Sequence, residues 1–268
     1  MSKPATGFIG LGSQGGPMAE RILAAGFPLT IWARRPEVVE GFTAKGASAA
    51  ASVAGLGAAC DHIGVCVVDD AGVAEICDEL IPAMREGSLL AIHSTILPES
   101  CEKLDKRCAE RGIGFVDAPV SGGGPAAELG ALTVMCGGSQ EAFEQARPVF
   151  ETFAKLIVLL GPAGSGQRAK IVNNSLMAAT MGLSHAALAA GEALGIDRAA
   201  LAELIKESSG RSFAFEIYAR LPTPTAFAQG APLLAKDTNL LVDVLPGDED
   251  AALLKAAADH FLGPAMSG

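Results

Sequence analysis

Long apolar runs are missing from this chain of 268 residues. None approaches the roughly 18 consecutive apolar residues that a membrane-spanning helix needs. Basic charge is also scarce: 20 Lys and Arg stand against 30 Asp and Glu, a net charge of −10. So acidic a chain lacks the basic face that nucleic acid requires, and an anionic ligand must be met by local positive groups. The six cysteines, at 60, 66, 77, 101, 108 and 136, form no CxxC pair and no cluster with histidine. Neither a disulfide framework nor a metal centre is indicated, and reduced structural thiols in the cytoplasm are the expectation. Internal repeats are absent, and no segment is of low complexity beyond a richness in alanine. Met1-Ser2-Lys3-Pro4 runs straight into a strand-like segment, so a signal peptide is not expected. What is abundant is apolar: 50% of residues are hydrophobic and 19% charged, enough for one large or two ordinary domains with substantial cores.

The first half alternates two patterns. Short apolar runs at about 6–10, 29–33, 62–68, 89–94, 113–118, 132–136 and 156–160 suit buried strands. Helical patterns lie between several of them, at about 17–25, 71–84 and 99–111. That alternation predicts an α/β fold, a doubly wound sheet of Rossmann type. After Gly161 the strand signal stops, and a long alanine-rich helix follows over about 166–194. Gly182 and Gly191 weaken this helix without ending it. Asp197 reads as the N-cap of the next helix, at about 198–207, and further helices follow. The expected organisation is a Rossmann-like domain over 1–162 and a smaller all-α domain over 163–268, joined by the long helix.

Gly10-Leu11-Gly12-Ser13-Gln14-Gly15 follows the first strand and precedes a helix. In that setting GxGxxG lets the backbone approach a dinucleotide, whose pyrophosphate faces the helix N-terminus. About 20 residues further on, an NAD-preferring site carries an acid for the ribose 2′-hydroxyl, whereas arginine suits the 2′-phosphate of NADP. Here Ala33-Arg34-Arg35 supplies two guanidiniums and no acid, which favours NADP over NAD.

Two further segments carry chemistry. Pro119-Val120-Ser121-Gly122-Gly123-Gly124 stands at the C-terminal end of a predicted strand, where ligands of open α/β sheets bind. A serine hydroxyl followed by unobstructed glycine N–H groups suits a carboxylate. Gly164-Ser165-Gly166 then opens the long helix, with Lys170 and Asn174 four residues apart on one face. A lysine in the first turns of a helix feels the positive end of the dipole, and desolvation further disfavours its ammonium. Such a lysine can take the proton of an alcohol undergoing hydride transfer, or return it in reduction.

These pieces stand in a recognisable order: Gly10-Leu11-Gly12 with Met18-Ala19, Ser94-Thr95, Asp117-Ala118-Pro119-Val120-Ser121-Gly122-Gly123, Gly164-Ser165-Gly166 with Lys170 and Asn173-Asn174, and Lys236-Asp237. Over residues 6 to about 240 the chain resembles the β-hydroxyacid dehydrogenase family, which includes 3-hydroxyisobutyrate dehydrogenase and tartronate semialdehyde reductase. The resemblance implies that Lys170 is the catalytic general acid/base. It implies that Ser121, Gly122, Gly123 and Asn174 bind a small carboxylate substrate. Thr95 and Lys236 match positions near the nicotinamide, and Val68 and Asp69 match the loop lining the cofactor ribose. A homodimer or homotetramer is the implied assembly.

The chain also departs from the family pattern. Gln14 replaces a usual methionine, the aromatic expected before Lys236-Asp237 is not evident in Gly230–Ala235, and Pro246-Gly247-Asp248 interrupts the tail. The last helix of the family is therefore expected to be absent or rearranged. The expected activity is NADP-dependent hydride transfer on a short 3-hydroxy acid or its semialdehyde. Glyoxylate or succinic semialdehyde reductase and imine reductase are alternatives, although imine reductases generally replace this lysine. A non-catalytic NADP-binding protein would have no use for Lys170. His93 and His185 read more simply as structural residues, whereas Phe213, Phe215 and Tyr218, which follow the Ser208-Ser209-Gly210 break, suit a roof over the substrate cleft and the core of the helical domain equally.

Overall fold

A computed structural model of the protein describes residues 3–267. It divides into two compact units, Met1–Lys170 and Ile171–Gly268. In chain order the first unit contains β1 (Thr6–Ile9), α1 (Gly15–Ala24), β2 (Leu29–Trp32), α2 (Pro36–Thr43), β3 (Ser48–Ala49), α3 (Val53–Ala59) and β4 (His62–Val65). There follow α4 (Asp70–Ala83), β5 (Leu89–Ile92), α5 (Pro98–Ala109), β6 (Gly114–Asp117), β7 (Val120–Ser121), α6 (Gly123–Glu128), β8 (Leu132–Gly138), α7 (Gln140–Phe150) and β9 (Ala154–Leu159). The long α8 (Ser165–Ala193) crosses the division, and α9 (Arg198–Lys206), α10 (Phe213–Ala219), α11 (Ala231–Val244) and α12 (Glu249–Met266) complete the second unit.

The strands form one sheet in the order β3-β2-β1-β4-β5-β6-β8-β7, with β9 paired to β8. From β3 to β6 every pairing is parallel, and β8 runs antiparallel to β6 and β7. The order reverses at β1, so the ends of β1 and β4 open onto a topological switch point. Alternation along each strand feeds two cores, one on either face. Phe8, Leu89, Ala91 and Val116 enter one cluster, and their neighbours Ile9, Leu90, Ile92 and Phe115 enter the other.

The seven expected strands are present within a few residues of their predicted ends. Two short strands, β3 and β7, and helices α2, α3, α6 and α7 add to them. Asp197 caps α9 as anticipated, accepting from the Ala200 amide at 2.8 Å. The glycines of α8 have a packing reason. A Cβ at Gly182 would lie 1.7 Å from the Ala257 carbonyl oxygen of α12, and one at Gly191 would lie 2.2 Å from Leu201 Cδ2.

The expectation about the tail needs correction. Pro246-Gly247 does end α11, but an 18-residue terminal helix, α12, follows, capped by Asp248 through the Ala251 amide. Ala258, Phe261, Leu262 and Ala265 of this helix belong to the core of the second unit, with Phe215 and Tyr218. Phe213, by contrast, is exposed. Among the described residues, no helix is long and apolar enough to cross a membrane and no metal-ligating cluster occurs.

Candidate active site

The glycine-rich turn between β1 and α1 is held by close contacts. A Cβ at Gly10 would lie 2.1 Å from the Cys66 carbonyl oxygen, and one at Gly15 would lie 1.9 Å from that of Gly10. Around Gly12, nothing lies within 4 Å of such a Cβ. The turn is therefore tight on its protein side and open on the other, as a pyrophosphate cradle requires. The side chain of Gln14, the N-cap residue of α1, makes no capping bond; instead the Gly15 amide meets the Cys66 thiol and the Gly16 amide bonds the Gly12 carbonyl at 2.9 Å, so the turn closes on itself at the helix start.

A cavity of about 610 Å³ opens beside this turn. Gly10, Leu11, Gly12, Arg34, Arg35, Val68 and Asp69, all singled out in the sequence, line it, together with Trp32, Ala33, Cys66 and Gly72. Ser13, Gln14 and Gly15 belong to the same turn without lining the cavity. Arg34 is paired with Glu75 of α4 at 2.7 Å, and Arg35 stands 3.9 Å from Glu37. The Asp69 carboxylate caps α4, accepting from the Gly72 amide at 2.9 Å, so part of its work is architectural. The β4–α4 loop is pinned where the Val67 amide donates to Ser94 Oγ at 2.8 Å, next to the half-buried Thr95. The shape, the open side of the glycine-rich turn and the two guanidiniums fit a dinucleotide.

The second cluster forms at the C-terminal end of β6. Ser121 closes β7, and Gly122 and Gly123 follow at φ +131° and +71°, conformations that favour glycine. A Cβ at Gly124 would lie 2.8 Å from the Ser13 carbonyl oxygen, so this loop packs directly on the glycine-rich turn. Lys170, 8% exposed, donates from Nζ to the Val120 carbonyl oxygen at 2.8 Å. Lys170 and the Ser121–Gly123 loop are thereby brought together.

One turn further along α8, the Asn174 amide donates to Asp237 Oδ2 of α11 at 2.6 Å. Lys236 precedes that aspartate, its Nζ 3.7 Å from Asp237 Oδ1.

Two residues of this region carried no role in the sequence. Asp117, fully buried, accepts from the Gly164 and Gln167 amides at 2.7 and 2.8 Å. Burial pushes its carboxyl up to about 6, against the opposing pull of those amides. Gln167, also fully buried, donates from Nε2 to the Ser94 carbonyl and accepts from the Ile96 amide. Their sequence signal is slight: an aspartate ending a strand, and a glutamine after Gly164-Ser165-Gly166.

A mostly parallel sheet with a candidate dinucleotide cradle at its switch point, followed by a separate helical unit, is the arrangement of the two-domain NAD(P)-dependent dehydrogenases. Comparison with known proteins makes this specific. Residues 5–161 match the family described as the NAD binding domain of 6-phosphogluconate dehydrogenase. Residues 164–262 match that described as "NAD-binding of NADP-dependent 3-hydroxyisobutyrate dehydrogenase". The NAD-dependent L-serine dehydrogenase of Pseudomonas aeruginosa PAO1 is 38% identical over 252 residues, 87% of this chain and 82% of the relative. Human mitochondrial 3-hydroxyisobutyrate dehydrogenase is 34% identical over 272 residues, 97% of this chain and 81% of its own. The solved 3-hydroxyisobutyrate dehydrogenase of Mycobacterium tuberculosis, with L-serine, superposes with a TM-score of 0.88 at 28% identity, covering 99% of this chain and 94% of the other. The chain belongs to the β-hydroxyacid dehydrogenase family and is an NAD(P)-dependent enzyme of 3-hydroxy acids.

Proposed function

We propose that the protein is an NADP-dependent oxidoreductase of short 3-hydroxy acids and their semialdehydes, with Lys170 exchanging the hydroxyl proton. The observation that carries this reading is the hydrogen bond from Lys170 Nζ to the Val120 carbonyl, which holds an ammonium beside the Ser121–Gly123 loop. The bound nicotinamide would supply or accept the hydride at the substrate carbon. Ser121 Oγ and the N–H groups of Gly122 and Gly123 hold the substrate carboxylate, and Asn174, oriented by Asp237, assists. In reduction the Lys170 ammonium gives a proton to the carbonyl oxygen; in oxidation the amine takes the hydroxyl proton. Thr95 and Lys236 would serve the nicotinamide end of the cofactor, and Val68 and Asp69 would line the cofactor ribose.

Arg34 and Arg35 on the cavity wall, with no acid at the end of β2, favour NADP. NAD with L-serine is the second reading, favoured by the NAD-dependent L-serine dehydrogenase relative. L-serine is itself a short 3-hydroxy acid, so both readings share one site.

Initial rates with NADPH and NADH, run in both directions on small semialdehydes, 3-hydroxyisobutyrate and L-serine, separate the two. Lys170→Ala is expected to lower kcat by more than about a hundredfold, the ordinary worth of a general acid–base group, while still binding cofactor. Turnover near wild type from that variant would refute the role given to Lys170.

A further inference from the structure

We infer that Asp117 is a positioning residue for the proposed proton donor: its carboxylate fastens the first turn of α8 to the sheet and so fixes where Lys170 leaves the helix. The inference rests on the reading of Lys170 given above.

The carboxylate closes two backbone groups that a helix start leaves open, the amides of Gly164 and Gln167, at 2.7 and 2.8 Å. It reaches them from the end of β6, a strand far back in the sequence, rather than from the residue before the helix. No salt bridge reaches Asp117 among the described residues, although it is fully buried. A charge in that position is held by hydrogen bonds and by the positive end of the helix dipole.

Glycines clear the space it occupies. A Cβ at Gly137 would lie 2.4 Å from Asp117 Oδ1, and one at Gly166 would lie 2.8 Å from Oδ2. The same turn is gripped again by Gln167, whose side chain bonds the main chain on both sides of Thr95.

The spacing links this anchorage to Lys170. Asp117 and Val120 are three residues apart on one segment, as Gln167 and Lys170 are on α8. Asp117 bonds Gln167 and Val120 bonds Lys170, so the two segments are joined at both ends of a single helical turn. Release of the first bond frees the turn to rotate, which moves the ammonium relative to the Ser121–Gly123 loop. The cofactor cavity is lined by other residues and keeps its shape.

Asp117→Asn retains the volume and one acceptor oxygen. It is expected to bind NADPH within about threefold of wild type and to keep a similar KM for a semialdehyde. Its kcat should fall about 10- to 100-fold, the cost of a misplacement near 1 Å at a reacting group.

The deciding measurement is the same substitution made in Lys170→Ala. If Asp117 acts through the lysine, it costs nothing further there. An equal factor in both backgrounds, or a wild-type kcat for Asp117→Asn beside an inactive Lys170→Ala, overturns this inference alone. A fully active Lys170→Ala overturns the lysine reading, and this inference with it. Should Asp117→Asn fail to fold, Gln167→Met loosens the same turn while retaining bulk. Its loss must likewise vanish in Lys170→Ala, and an equal factor in both backgrounds counts against the anchorage.

Discussion

Gly10 and Gly12 stand two residues apart in one turn, yet a methyl group has opposite consequences at each. At Gly10 it would meet the Cys66 carbonyl at 2.1 Å, on a backbone at φ +93°, so Gly10→Ala distorts the β1–β4 edge itself. At Gly12 nothing lies within 4 Å, so the methyl occupies only the open side of the turn, where the proposed cofactor would lie. Gly10→Ala should therefore lower the melting temperature and abolish cofactor binding together. Gly12→Ala should melt like wild type while binding NADPH at least about tenfold more weakly, about 1.4 kcal/mol. A thermal melt and a fluorescence titration on each variant check this. The proposed preference for NADP also turns on single residues. Arg34 is paired with Glu75, but both side chains are about two-thirds exposed, and such a pair is worth at most about 1 kcal/mol. A charge-assisted bond to a 2′-phosphate is worth about 1.5–3 kcal/mol, so a phosphate can draw Arg34 from Glu75. Arg34→Ala should raise KM for NADPH about tenfold or more and leave KM for NADH nearly unchanged. Equal effects on both would remove Arg34 from phosphate recognition.

Among the elements, α12 is the one the sequence misled us about, and it supplies a stability test. Its start is capped by Asp248, through the Ala251 amide at 2.8 Å, with Glu249 and Asp250 in the first turn. Asp248→Ala should cost about 1 kcal/mol, lowering the melting temperature by about 2–4 °C for a chain of this size. Unchanged melting would mean that core residues such as Phe261 and Leu262 hold α12 without the cap. The interruption at Pro246-Gly247 was legible; that a helix resumes at once was not, because alanine-rich 249–266 lacks a family motif to announce it. Strands β1, β2, β4, β5 and β6 were legible because strands covered on both faces are continuously apolar. β3 and β7, of two residues each, have no period to detect. α6, Gly-Gly-Pro-Ala-Ala-Glu, reads locally as a loop and becomes a helix through its packing on α1 and β8. The antiparallel direction of β8 leaves no mark in hydrophobic periodicity. At the candidate site, Lys170 and the glycine loops were legible from motif spacing. The grip of Asp117 on α8 was not, since it joins residues about fifty apart.

At the scale of the whole molecule, buried groups that the core refuses to charge make stability depend on pH. His93 stacks on Phe8 with centroids 5.9 Å apart and meets Phe150 and Phe153 edge-on, while His62 meets Phe150 at 5.7 Å. His93 Nδ1 bonds the Ala118 carbonyl, but among the described residues His93 Nε2 and His62 Nδ1 have no hydrogen-bond partner. Burial pushes His62 down to about 3 and His93 down to about 4, from the ordinary 6.5. Below pH 6.5 the unfolded chain therefore binds two protons that the folded one refuses, and stability falls with pH. Asp117 works the other way. Burial raises it from 3.8 to about 6, so between those values the folded state binds the extra proton and gains stability as pH falls. Taken by themselves, His62 and His93 against Asp117 leave a net loss of about 2–3 kcal/mol between pH 7 and pH 5. Urea unfolding, followed by the fluorescence of the single tryptophan, Trp32 on β2 in the same unit, measures that difference. His93→Leu removes one histidine and its bond to Ala118, so absolute stability shifts at both pH values. The difference between them should nevertheless shrink by about 2 kcal/mol. An unchanged difference would mean that His93 takes up a proton within the fold, contrary to its place among three phenylalanines.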